Sequence, residues 1–373
     1  MLKNQTSHEA ATAHIAMTRV LLSHAARYPR MQALDAVKLC YQAAFGGGHL
    51  IHDPDAARAW IHRERTQAET DQNIPLFEEL GCGMVRLNFA APECANLSDD
   101  LIFSMFDTSA KAVFANKDNQ NRFSCALDTL HLCTENAWMP FSLEALETAL
   151  SALHDTGFQA VHHSEAYREA YHPSYRVMEA HWIHLLPLIQ KIDALLSAHH
   201  NDTPILIAID GRAASGKTTY ANRLAGIYDC NVFHMDDYFL PPKLRTDDRL
   251  STPGGNVHYE RFKEEILFGI QSKKPFSYRP FDCQTGCLQS PVTAAPKRLN
   301  IIEGAYALHP YFGDCYSIRT AVTCSPLQQA ERIRTRNGEQ MLGMFTGKWI
   351  PLEEQYLQAF QIFMHADITI LND

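Results

Sequence analysis

Hydrophobic and polar positions follow two different periods along this chain, and the change falls near its middle. Over residues 10–28, 33–45 and 143–153 the apolar side chains recur at three- and four-residue spacing, the period of helices with one buried face. Proline and glycine punctuate these stretches. The pattern predicts a mainly helical domain over residues 1–200, with a last helix over about 174–198 that stops at the polar, proline-closed segment Asn201-Asp202-Thr203-Pro204. Beyond it, short unbroken apolar runs take over at 205–209, 231–235, 299–302, 317–323 and 366–371, with helix-compatible stretches between them. Such runs are typical of parallel strands buried on both faces. The expected architecture is therefore an α/β domain over 201–373, a parallel sheet with helices on both faces, preceded by the helical domain. Two domains also suit a length of 373 residues.

The first apolar run leads through Asp210 into Gly211-Arg212-Ala213-Ala214-Ser215-Gly216-Lys217-Thr218-Thr219, which fits G-x-x-x-x-G-K-[ST] without a mismatch. A polyphosphate brings several negative charges into a tight bend. Glycines let backbone N–H groups close around it, and the helix expected near Gly216 turns its positive end toward the same oxygens. Lys217 supplies a mobile cation for the terminal phosphates, and Thr218 a hydroxyl ligand for magnesium. A nucleotide polyphosphate with Mg²⁺ is thus expected, held by residues 211–219.

In a parallel sheet of this kind the site lies at the carboxyl ends of the strands. The polar residues there are Asp236-Asp237 after the second run and Glu303-Gly304 after the third. Asp236 is placed to orient an acceptor hydroxyl, take its proton and bind a magnesium water, and Glu303 to hold magnesium through water.

Charge narrows the partner. The net −9 is uneven: residues 1–200 carry 15 Lys and Arg against 23 Asp and Glu, a balance of −8, and residues 201–373 carry 18 against 19, a balance of −1. A nucleic-acid partner is normally met by a basic surface, so a small-molecule acceptor is the better expectation. No apolar run approaches the length of a membrane span, and no basic-then-apolar leader opens the sequence. A cytoplasmic protein is expected, with its ten scattered cysteines as reduced thiols. The sequence leaves the oligomeric state open.

Two stretches of the first half stand out. Phe45-Gly46-Gly47-Gly48-His49-Leu50-Ile51-His52-Asp53 reads as a helix stop or as bare backbone that admits a ligand. Tyr167-Arg168-Glu169-Ala170-Tyr171-His172-Pro173-Ser174-Tyr175-Arg176 sets two arginines among three tyrosines, a combination that suits an anion or ring site as well as a helix surface. Fifteen of the nineteen histidines fall in this half, without the i, i+4 pair of a zinc helix.

Residues 205–373 resemble the uridine kinase and phosphoribulokinase-like branch of P-loop kinases, and within it a bacterial uridine-kinase-like subgroup. The resemblance to the branch rests on Ile209-Asp210-Gly211 with the phosphate loop, His234-Met235-Asp236-Asp237-Tyr238-Phe239, Ile301-Ile302-Glu303-Gly304 and Arg332-Ile333-Arg334-Thr335-Arg336, and that to the subgroup on Leu240-Pro241-Pro242, Pro253-Gly254-Gly255-Asn256 and Trp349-Ile350-Pro351-Leu352-Glu353. It implies transfer of the ATP γ-phosphoryl group to a hydroxyl of a small metabolite, a nucleoside such as uridine being one of that class. Asp236 takes the place of the acid-base, and Arg332 and Arg336 that of lid arginines, which one helical face would carry four positions apart. The segment Thr252-Pro253-Gly254-Gly255-Asn256-Val257-His258-Tyr259 stands where uridine kinases carry an acidic-proline-acidic grip on the sugar. The alternative from another class is a P-loop ATPase whose helical domain reads out the nucleotide state.

Lys217→Ala should leave the fold intact and remove most catalysis, because the loss of a cation facing developing charge costs on the order of 3 kcal/mol or more. Full turnover by a folded Lys217→Ala protein, measured as ADP release, would rule out a phosphate-loop enzyme.

Overall fold

The computed structural model describes residues 2–51, 53–155, 161–198, 203–283 and 285–373. The chain forms two compact units, Met1–Ile183 and His184–Asp373.

The second unit is built on five parallel strands. The apolar run of Ile205–Gly211 (β4) is buried along its whole length, as the central strand of a sheet covered on both faces must be. It pairs on one side with Leu299–Glu303, which in turn pairs with Cys230–His234 (β5). On the other side stand Ile318–Thr323 and then Ile368–Leu371. All four pairings are parallel, and each expected strand of this half is found within two residues of its expected limits. Phe233, Ile302 and Ala321 from the strands join Phe262, Ile266 and Tyr356 from the covering helices in one core.

The first unit is mainly helical. Its helices are Leu2–Arg27 (α1), Ala33–Phe45 (α2), Pro54–Gln67 (α3), Asp99–Phe114 (α4), Asn119–Glu135 (α5), Leu143–Asp155 (α6) and Glu165–Tyr171 (α7). Leu21, Val37, Leu39, Leu130 and Leu146 meet in its core, which confirms the helical period of the first half. The triple glycine closes α2. The Gly46 amide donates to the Gln42 carbonyl, and Gly47 and Gly48 lie against Phe106 and Ala110 of α4, where side chains would crowd. His52 lies outside the described residues.

An antiparallel sheet of three strands was not anticipated: Phe77–Gly81 (β1), Met84–Asn88 (β2) and Tyr175–Glu179 (β3), in the order β1-β2-β3. It corrects the helix expected over 174–198. That stretch is β3 followed by the helix His181–Ala198 (α8). Pairing with β2 buries Arg176, Val177 and Met178 together, so strand pairing overrides the helical spacing of the apolar residues.

The units divide between Ile183 and His184, within α8, so the contact division and the expected boundary at residue 200 differ by most of one helix. Side chains of the second unit hold α8 from below: the Tyr228 hydroxyl donates to Asp193 (2.7 Å), and Arg298 donates to the Leu196 carbonyl (2.9 Å). The ten cysteines are free, and no described helix is long and apolar enough to cross a membrane.

A fragment of residues 184–373 should therefore be more stable than one of 203–373. Each lost hydrogen bond contributes about 1 kcal/mol, so the shorter fragment should melt several degrees lower. Equal melting temperatures would show that α8 adds nothing to this unit.

Candidate phosphate-binding active site

The site begins where β4 runs out. Gly211 is still paired with Val322 in the sheet while its φ is +134°, and a Cβ there would fall 1.8 Å from the Val322 carbonyl oxygen. Only glycine can make this exit from the strand. The loop then bends back through Ala214 and Gly216, both at positive φ, and Lys217–Ile227 (α9) starts at Lys217. Asn372 braces the bend by donating its side-chain amide to the Ser215 carbonyl (2.8 Å). A buried strand, a glycine-cornered loop and a helix pointing its N-terminus into the bend form a cradle for phosphate. This is a P-loop α/β fold.

Lys217 differs from its expected attitude toward solvent. It is buried, and its ammonium donates to the carbonyls of Gly211 (2.9 Å) and Arg212 (2.7 Å). The loop's own oxygens satisfy the charge, which curls the side chain over the loop.

Thr218 opens the first turn of α9, with Thr219 beside it. The Thr218 hydroxyl lies 3.2 and 3.1 Å from the two oxygens of Glu303. Glu303 ends its strand between Ile209 and His234 and is buried. The His234 Nδ1 stands 2.5 Å from the same carboxylate, a bond that raises the imidazole's affinity for its proton. A hydroxyl and a carboxylate next to the phosphate cradle are the hard oxygen donors magnesium takes. Among the described residues no three carboxylate, imidazole or thiol groups gather to hold a metal by themselves.

Asp236 follows β5 in the single helical turn Met235–Tyr238. It is exposed. Desolvation raises its pKa, Glu303 adds to the rise, and Lys217, His234 and Arg336 draw it down. The structure thus brings Lys217, Glu303 and Asp236, predicted separately from the ends of three segments, into electrostatic reach of one another.

The two arginines share the helix Pro326–Asn337 and serve differently. Arg332 donates to the carbonyls of Asn372 (2.7 Å) and Ala214 (3.5 Å), which fastens the helix to the loop. Arg336 is exposed, bonds its neighbour Asn337 (2.7 Å) and lies within reach of Asp236. Arg334 is taken up by Glu331 and Glu339.

The spacing of the loop gave no sign of Glu353 and Glu354, whose only signal was their place after Trp349-Ile350-Pro351-Leu352. Both sit on the helix Ile350–Ala359. Glu354 grips the Arg212 guanidinium through two oxygens (2.5 and 3.0 Å). Glu353 is buried and accepts the Ala213 amide (2.8 Å), so a protein carboxylate occupies one of the loop's own amides. Burial pushes its pKa up to about 7, with Lys217 and the Ala213 amide holding it back and Asp236 and Asp210 adding to the rise.

No family model matches this chain, and no curated protein matches it. Among solved structures, a possible uridine kinase from Bacillus stearothermophilus is 19% identical over 49% of this chain and 99% of that one, with a TM-score of 0.36. A protein provisionally named a fructose transport system kinase, from Silicibacter sp. TM1040, is 19% identical over 50% of this chain and 98% of that one, with a TM-score of 0.40.

Because the folded pKa of Glu353 lies above the unfolded 4.5, the native state holds this proton more tightly. Its contribution to stability is therefore full below pH 4.5 and is lost as pH rises toward 7, a cost of about 3 kcal/mol at its full extent. Glu353→Gln keeps an oxygen for the Ala213 amide and cannot titrate. Urea unfolding should show that the stability drop between pH 5 and pH 8 is smaller in Glu353→Gln than in wild type. An equal drop would clear Glu353 of that role.

Proposed function

We propose that this protein is an ATP-dependent phosphotransferase that moves the γ-phosphoryl group to a hydroxyl of a small metabolite. The observation that carries this reading is Asp236, a solvent-reachable carboxylate of raised pKa beside Lys217 and Glu303. A carboxylate so placed meets the acceptor hydroxyl at the carboxyl end of the sheet, where the phosphates lie.

In this reading the loop amides and Lys217 hold the phosphates in line, with Lys217 leaving the Gly211 and Arg212 carbonyls for phosphate oxygens. Thr218 and Glu303 would hold magnesium, which would neutralise charge on the transferred group. Asp236 orients the hydroxyl and accepts its proton as the new O–P bond forms and ADP departs. Arg336 is the arginine free to swing over the developing charge, while Arg332 keeps its helix in place.

The segment that follows Pro253 to Tyr259 brings further side chains within electrostatic reach of Asp236 and Asp237. Tyr278 lies near Asp237, and the Cys283 thiol, raised by burial, feels Arg245, Asp236 and Asp237. The proposed acceptor class is a small polar alcohol; no nucleic acid or membrane enters the reading.

Asp236→Asn should keep nucleotide binding, since the phosphates rest on Lys217 and the loop amides. Acceptor-dependent ADP release should fall by a factor on the order of a hundred or more, the usual size of a general-base contribution. The measurement compares wild type and Asp236→Asn across a metabolite library. Turnover indifferent to every added alcohol would favour the switch, and an Asp236→Asn enzyme as fast as wild type would remove the proposed base.

A further inference from the structure

The first unit holds a cavity of about 830 Å³, within the range of small-molecule sites. The tyrosine stretch singled out in the sequence supplies one wall through Tyr167, Tyr171 and Tyr175, and Tyr28 joins them from α1. Tyr28, Tyr167 and Tyr171 pack on one another with ring centroids 4.9 to 5.3 Å apart. The arginine of the site comes from elsewhere. Arg86 of β2 reaches the cavity from beneath, 1% exposed, with its guanidinium 4.5 Å from the centroid of the Tyr175 ring. It donates to Gln42 through two nitrogens (2.9 and 3.2 Å) and approaches Glu78 at 3.4 Å.

Burying a guanidinium costs several kcal/mol after relaxation, and an apolar side chain of similar volume would stabilise the unit at least as well. A charge kept there against that cost, lining a cavity, points to a ligand. The charges around it describe which one. At the buried end Arg86 pairs with Glu78, and Arg27, exposed at the mouth, approaches the same carboxylate at 3.6 Å. Beside Glu78, burial and then Arg86 bring the His24 pKa down to about 4, so that ring adds no charge. On this side of the cavity two guanidiniums thus face one carboxylate. Glu64 is paired with Arg176, while Glu69 and Asp71 line the same cavity as exposed carboxylates. Two guanidiniums against one carboxylate on one side, and two exposed carboxylates on the other, suit a ligand with one group of each sign and repel polyanions.

We propose that this cavity binds a small zwitterionic metabolite of the amino-acid class, with its carboxylate on Arg86 and its ammonium toward Glu69 and Asp71. The arginine fork matches a carboxylate, and the tyrosine faces cover the hydrocarbon between the two charges. The site is independent of the phosphate loop and of the reaction proposed for it.

The test uses the full chain with saturation-transfer NMR and thermal shift. Its probes are the twenty proteinogenic amino acids, lactate and inorganic phosphate, each with and without ADP and magnesium. At least one amino acid should bind below about 10 mM, a weak but specific affinity, and ADP should not displace it. Arg86→Gln should weaken that binding at least about tenfold. The exposed pair Glu69→Gln with Asp71→Asn should weaken it about fivefold and leave lactate unaffected; this pair decides the matter if Arg86→Gln does not fold. The proposal is overturned if no amino acid binds, if lactate or phosphate binds as tightly as any of them, if ADP displaces the ligand, or if the rim variant binds as wild type does.

Discussion

The geometry of the phosphate loop depends on one buried carboxylate. Asp210, the last residue before Gly211, is 1% exposed and gathers four donors: the amides of Gly211 (2.6 Å), Tyr306 (3.0 Å) and Leu308 (2.8 Å) and the hydroxyl of Tyr356 (2.7 Å). They come from the loop itself, from the turn after the neighbouring strand, and from the helix that carries Glu353 and Glu354. Burial raises the Asp210 pKa, and Tyr356, Leu308, Gly211 and Lys217 oppose the rise. Removing the carboxylate would leave three amides and a hydroxyl buried without their acceptor, each costing about 1 to 3 kcal/mol. The Ala213 amide on Glu353 and the Arg212 fork on Glu354 are set by the same helix, so its seating on Asp210 aligns both.

What the sequence disclosed follows from how local each signal is. The phosphate loop was legible because its demands fall on nine consecutive residues. Asp236 and Glu303 were legible because parallel strands end their polar residues on one side of a sheet. Glu353 was not, since it reaches Ala213 from 140 positions away and nothing in the spacing of a helix announces a partner so distant. The strand β3 was hidden for a related reason: Tyr175–Glu179 shows its nature only against β2, some ninety residues earlier. The tyrosine stretch was half legible. Its rings do line a cavity, while the arginine at the floor is Arg86 and the segment's own Arg176 is spent on Glu64.

Lys217 and Glu353 show a loop whose charges are already matched from within. Its ammonium rests on two loop carbonyls, and one amide rests on a glutamate. A phosphate entering this loop exchanges existing bonds for new ones, so the net gain is a difference between two well-satisfied states. Such a loop holds its shape without help from a ligand, which favours a rigid receptor over one that forms on binding.

Gly211 belongs to the sheet before it belongs to the loop. Its missing side chain makes room for the Val322 carbonyl, a neighbour that has nothing to do with phosphate. Whatever the loop binds, glycine must stay at 211 for as long as these two strands stay together. The first letter of the phosphate motif is thus a record of strand architecture before it is one of ligand binding.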